Sequence, residues 1–154
     1  MNKVHIEWKG FHQACFHTAR KLLEDNIAID TIIALARGGL VPARIMAEYI
    51  KPSNFYTIGL KLYDGDKRGD RVTIYQDMPD NTNWLMLGNI LVVDDISDGG
   101  TTFSCIYKRI TGLVPEETVF TAAPYIKSGT SFLPDYYVTE FSSDEWIVFP
   151  FEES

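Results

Sequence analysis

Apolar and polar positions along this chain fall into blocks that predict strands and helices in turn. Residues 4–8 (VHIEW) read as a short strand. Residues 11–25 then carry Phe11, Cys15, Ala19, Leu22 and Leu23 at the spacing of one helix face. The run 31–36 (TIIALA) is β-branched and unbroken by polar groups, which predicts a buried strand ending at Arg37-Gly38-Gly39. Residues 40–50 read as helix, with Pro42 tolerated only in the first turn. Further strands are predicted at 55–62, 90–93, 118–124 and 136–139, and a helix at 101–110. The stretch 63–89 differs: it is rich in Asp, Gly, Lys, Arg and Asn, with only a β-like patch at 72–75. A segment so long and so weakly patterned predicts a functional loop, here a mobile lid.

Strands that alternate with helices predict an α/β fold around a parallel sheet. No internal repeat or low-complexity linker divides the chain, so residues 1–154 read as one continuous domain. In such sheets ligands bind beyond the carboxyl ends of the strands. Two strand ends here carry unusual residues, ARGG at 36–39 and DDISDGGTT at 94–102.

The second of these has the makings of an anion cradle. Gly99 and Gly100 let the backbone turn tightly and approach a ligand. The amides of the following helical turn and its dipole favour a phosphate, and Thr101 and Thr102 add hydroxyl donors. Asp94 and Asp95 would repel that phosphate unless they accept hydrogen bonds from sugar hydroxyls or reach a divalent cation. The combination reads as a ribose 5-phosphate site. The plain alternative is a strand–turn–helix whose acids only cap the helix. Receiver domains also place paired acids at a strand end, but near the amino terminus and without a Gly-Gly-Thr-Thr nest. The lysine of a nucleotide-hydrolase phosphate loop is missing.

Composition narrows the partners. The net charge is −7, yet residues 134–154 hold six acids and no lysine or arginine, which leaves the other 133 residues at −1. No basic stripe is offered to a nucleic-acid backbone. No run approaches the roughly 18 apolar residues of a membrane span, and the amino terminus lacks a signal-peptide core. Cys15 and Cys105 stand in neither a metal nor a redox spacing and read as buried thiols of a cytoplasmic protein. His12 and His17, five residues apart, do not share a helix face and make poor joint metal ligands.

VVDDISDGGTT resembles the phosphoribosyl-diphosphate signature of the type I phosphoribosyltransferases, and LARGGLVPARIMAE is similar to the first loop of their 6-oxopurine members. The likeness runs nearly the whole chain, to DYYVTEFSSDEWIVFPFE. It implies a parallel-sheet fold with a mobile hood loop and a small carboxy-terminal base-recognition segment. It also implies transfer of ribose 5-phosphate from phosphoribosyl diphosphate to a purine, with magnesium, by a homo-oligomer in purine salvage. On that resemblance Arg37 and Gly38 face the diphosphate, following a cis peptide at Ala36–Arg37. Asp94 and Asp95 serve the ribose hydroxyls, with Asp95 at the metal. Ser97, Asp98, Gly99, Gly100, Thr101 and Thr102 form the phosphate loop, and Asp98 manages the purine's imidazole proton. Lys127 donates to the 6-oxo group, Trp146 stacks on the base, and Ile147 offers backbone groups to its other edge.

The chain departs from that pattern in three places. Gly99 stands where a hydroxyl residue is usual, and Val148 where a bacterial relative has an acid. The hood loop has no unique basic counterpart; Lys67, Arg68 and Arg71 are the candidates for diphosphate contact. Two other readings are carried forward: a phosphoribosyltransferase for another base, and a non-catalytic phosphoribosyl-diphosphate-binding regulator.

Overall fold

The computed structural model describes residues 2–63 and 71–152. Its centre is a five-stranded sheet in the order β4-β3-β2-β5-β7. Here β2 is Thr31–Ala36, β3 Asn54–Tyr63, β4 Arg71–Gln76, β5 Ile90–Val93 and β7 Val119–Ala122. All neighbours are parallel except β3 and β4.

Both faces are covered, which is why β5 is apolar throughout and β2 is apolar apart from the buried Thr31. Ile32, Ala34, Leu91 and Val93 pack with Phe11, Leu22 and Met46 from α1 (Trp8–Glu24) and α2 (Leu40–Ile50). Ile33, Leu35, Ile90 and Val92 turn to the other face, against Phe103, Ile106 and Ile110 of α3 (Thr101–Thr111). Full burial of one such side chain contributes about 1.5–3 kcal/mol, so the strands at the centre hold the frame on which the loops are mounted.

Two small parallel sheets flank this core. β1 (Asn2–His5) pairs with β10 (Glu145–Val148), and β6 (Ile96–Ser97), β8 (Tyr125–Lys127) and β9 (Thr139–Phe141) form the other. Tyr125, Phe149, Phe11 and Phe151 link them through ring contacts with centroids 5.3–6.3 Å apart.

Several sequence expectations shift. The first strand lies two residues earlier than 4–8, because Trp8 joins α1 and packs edge-on against Phe11. The strand expected at 136–139 is confined to Thr139–Phe141; Tyr136 makes only an isolated bridge to Ala122. That segment is instead pinned by side chains. The Thr121 amide donates to Asp135 Oδ2, and the Tyr136 hydroxyl donates to Asp25 at 2.6 Å.

The stretch 63–89, expected to be weakly patterned throughout, holds regular structure in its second part. From residue 71 onward the chain forms β4, then a 3-10 turn at Trp84–Leu87, whose last carbonyl accepts from Thr31 Oγ1 at 2.7 Å. Lys67 and Arg68 lie outside the described residues. Of the two cysteines, both unpaired, Cys15 is buried, whereas Cys105 is only partly so.

Candidate active site

The loop after β2 and the loop after β5 meet at the carboxyl edge of the sheet. The Ala36–Arg37 peptide is cis, as the resemblance implied. Gly38 lies so close to Asp95 that a Cβ there would stand 2.5 Å from the carboxylate oxygen. Any larger residue would push the two loops apart, which gives Gly38 a steric reason. Arg37, Gly38, Asp94, Asp95 and Thr102 thereby line one cleft of about 800 Å³.

Gly100 has a conformational reason. Its φ is +92°, and an added Cβ would stand 2.5 Å from the Phe132 amide nitrogen. It serves as the N-cap of α3 with no side-chain capping bond, so Asp98 does not cap the helix as the plain alternative supposed. The first-turn amides are thus left to an incoming anion. Gly99, by contrast, has open space where a Cβ would go. The missing hydroxyl at this position is a matter of sequence, not of room. Ser97 is buried, and its hydroxyl donates to the Phe132 carbonyl at 2.7 Å, so it braces the loop.

The acids at the end of β5 are electrostatically unsettled. Burial, then the neighbouring Asp95 charge, pushes the Asp94 carboxyl well above its ordinary range. Burial pushes Asp95 up to about 6, with the Glu152 charge adding to the rise. The hydrogen bond from the Asp95 amide to Asp94 Oδ1, at 2.8 Å, opposes the Asp94 shift, and hydrogen bonds with the Asp94 side chain and the Ile96 amide oppose that of Asp95, without cancelling either. Two carboxylates held out of water beside a third are poised for a cation or for hydroxyl donors.

Asp98 and Lys127 come together through sheet register. Ile96 pairs with Tyr125 and Ser97 with Ile126, and one step further Asp98 Oδ2 stands 3.9 Å from Lys127 Nζ. The Asp98 side chain is 66% exposed and that of Lys127 only 8%. An open carboxylate beside a sheltered ammonium is a suitable arrangement for handling a proton and binding an oxo oxygen on one planar ring. Trp146, on β10, keeps 54% of its surface exposed and is no core residue, while Ile147 beside it is buried. The described contacts relate Trp146 and Lys127 only indirectly, through the Tyr125–Phe149 ring pair.

Sequence reasoning missed Glu152, Lys61 and Tyr75, which share the cleft with Arg37 and the acids. Glu152 was seen only as one of many carboxy-terminal acids. It reaches the cleft because a turn bonds its amide to the Phe149 carbonyl and its carboxylate to the Phe149 amide. A lysine interrupting the apolar strand IGLKLY was the available signal for Lys61.

Comparison with known proteins agrees with this geometry. The chain is 32% identical over 148 residues to the xanthine-guanine phosphoribosyltransferase of Desulfotalea psychrophila, covering 96% of this chain and 84% of that protein. Among solved structures, the purine phosphoribosyltransferase of Pyrococcus horikoshii superposes with a TM-score of 0.81 at 32% identity, over 100% of this chain and 97% of the other. The xanthine-guanine-hypoxanthine phosphoribosyltransferase of Helicobacter pylori shares the fold, with a TM-score of 0.75 at 18% identity and coverage of 96% and 92%. The family model described as phosphoribosyl transferase domain matches residues 6–154, nearly the whole chain, and the chain belongs to the phosphoribosyltransferases.

Proposed function

We propose that the protein is a purine phosphoribosyltransferase that transfers ribose 5-phosphate from phosphoribosyl diphosphate to a 6-oxopurine and releases diphosphate, in purine salvage in the cytoplasm. The observation that carries this reading is the Asp98–Lys127 pair, 3.9 Å apart and one register step beyond the β6–β8 ladder. An ammonium stabilises charge developing on a 6-oxo oxygen and disfavours the amino group of adenine.

In this reading the α3 amides with Gly99, Gly100, Thr101 and Thr102 hold the 5-phosphate. Asp94 and Asp95 accept from the ribose hydroxyls, and Arg37 and the Gly38 backbone face the diphosphate. Asp98 takes or returns the imidazole proton as the new bond forms to the ring nitrogen. Trp146 offers its open face to the base, and Ile147 its backbone.

Magnesium suits the donors present. Asp94, Asp95 and Glu152 are hard oxygen ligands whose mutual repulsion a divalent cation would relieve. Among the described residues no group of three or more His, Cys, Asp and Glu side chains is arranged to hold a metal ion by itself. Asp95 is the residue we assign to magnesium. When bound, the ion neutralises charge on the departing diphosphate.

The test is diphosphate release from magnesium–phosphoribosyl diphosphate with and without a purine. Release should depend on added guanine, hypoxanthine or xanthine. Release without base, or none with any base, contradicts the reading.

A further inference from the structure

The diphosphate end of the cleft is short of positive charge. Three acids line it, Asp94, Asp95 and Glu152, and among the described lining residues only Arg37 and Lys61 are cationic. A diphosphate adds further negative charge, so even with magnesium bound a cationic side chain beside Arg37 strengthens its binding. Arg71, the one described candidate from the hood sequence, pairs with Tyr63, two residues farther along β3 than Lys61, and does not line the cleft.

Lys61 is placed by a local device. The β3–β4 ladder pairs Gly59 with Gln76 and Leu60 with Ile74, so Tyr75 is the extra residue of a β-bulge. A bulge re-aims the side chain it carries. The Tyr75 ring lies against Gly59, where a Cβ would stand 2.5 Å from Cε2, and Lys61 Nζ sits 5.6 Å from the ring centroid. A cation–π contact orients an ammonium and leaves its charge intact. Gly59 is in turn the register partner of Ala36, the residue before Arg37, so the bulge sets Lys61 on the wall next to the first cation.

We infer that Lys61, seated on the Tyr75 ring, is a diphosphate-binding residue of this site, and that the Tyr75 bulge is what positions it. The inference rests on the phosphoribosyl diphosphate reading above, but it can be tested without turnover. Inorganic diphosphate with magnesium is titrated into the whole protein by calorimetry, for wild type, Lys61→Met, Lys61→Arg and Tyr75→Leu. Lys61→Met should weaken diphosphate about tenfold or more, and Lys61→Arg should restore it to within about threefold. Tyr75→Leu should fall between, since the charge remains but loses its seat.

In steady-state assays Lys61→Met should raise KM for phosphoribosyl diphosphate and leave KM for the base within about twofold. Diphosphate affinity unchanged in Lys61→Met, or no diphosphate binding by wild type, overturns the inference. Wild type that binds diphosphate through Lys61 yet forms no nucleotide would sustain the inference while sinking the catalytic assignment.

Discussion

In the proposed mechanism Asp98 and Lys127 carry the chemistry, and their substitutions should separate cleanly. Asp98→Asn keeps the shape and removes the proton acceptor, so kcat should fall about 10²–10⁴-fold while KM for phosphoribosyl diphosphate moves little. Lys127→Gln removes a charged donor beside the base. KM for hypoxanthine should rise on the order of 10- to 100-fold, with adenine gaining relative to it. Full activity in either variant, measured by initial rates, contradicts the assigned role. Asp95 gives a prediction in pH. Its folded pKa, near 6, lies above the unfolded value, so its contribution to stability is complete below about pH 4 and is lost as pH rises through 6. The loss is on the order of 2–3 kcal/mol by pH 8. Ligand-free Asp95→Asn should therefore melt higher than wild type at pH 8, and the gap should close toward pH 4; a gap independent of pH would contradict the burial argument. Asp94, Asp95 and Asp98 stood out in sequence because they cluster at one strand end, whereas Lys127 entered only through the family resemblance. Lys61 and Glu152 did neither, since only β3 register and a carboxy-terminal turn bring them to the same cleft.

At the scale of elements, the best-read segments are those buried on both faces. The spans Thr31–Ala36 and Ile90–Val93 match the pattern because nearly unbroken apolar runs end abruptly at Arg37-Gly38 and Asp94, and Leu40–Ile50 matches because its helical spacing stops at Lys51. The apolar stretch 118–127 hides a change of sheet: β7 ends at Ala122, and after Ala123-Pro124 the chain enters β8 in another ladder. Periodicity cannot register that change, since both halves are buried. β6, at two residues, is too short for any pattern to reveal, and β10 mixes exposed and buried positions within four residues. The turn into α3 yields a contrast of two adjacent glycines. Gly100→Ala forces a side chain onto the Phe132 amide at positive φ and should cost about 1–3 kcal/mol, with loss of phosphate binding. Gly99→Ala enters open space and should stay within about 1 kcal/mol of wild type. Equal effects in urea unfolding would contradict this account of the loop.

Across the whole molecule, the cleft draws its walls from distant parts of the chain. The nest belongs to α3, and an ion pair from Arg109 of that helix to Asp77 ties it to the end of β4. The carboxy-terminal Phe151 and Glu152 form the facing side. Substrate binding should therefore tighten the β3–β4 wall along with the nest, and closing that wall would keep water from the activated sugar. Hydrogen exchange over Arg71–Gln76 should slow when magnesium and phosphoribosyl diphosphate are added; identical protection with and without them would contradict closure. No helix among the described residues is long and apolar enough to cross a membrane. Leu85 and Met86 stand side by side with more than 70% of each exposed. The central claim is 6-oxopurine transfer, and one competition measures it most directly. Equal concentrations of guanine, hypoxanthine, xanthine and adenine are mixed with magnesium, phosphoribosyl diphosphate and the protein, and the nucleotides formed are separated by chromatography. The account predicts monophosphates of one or more 6-oxopurines and essentially none of adenine; adenine nucleotide as the main product, or no nucleotide at all, would contradict it.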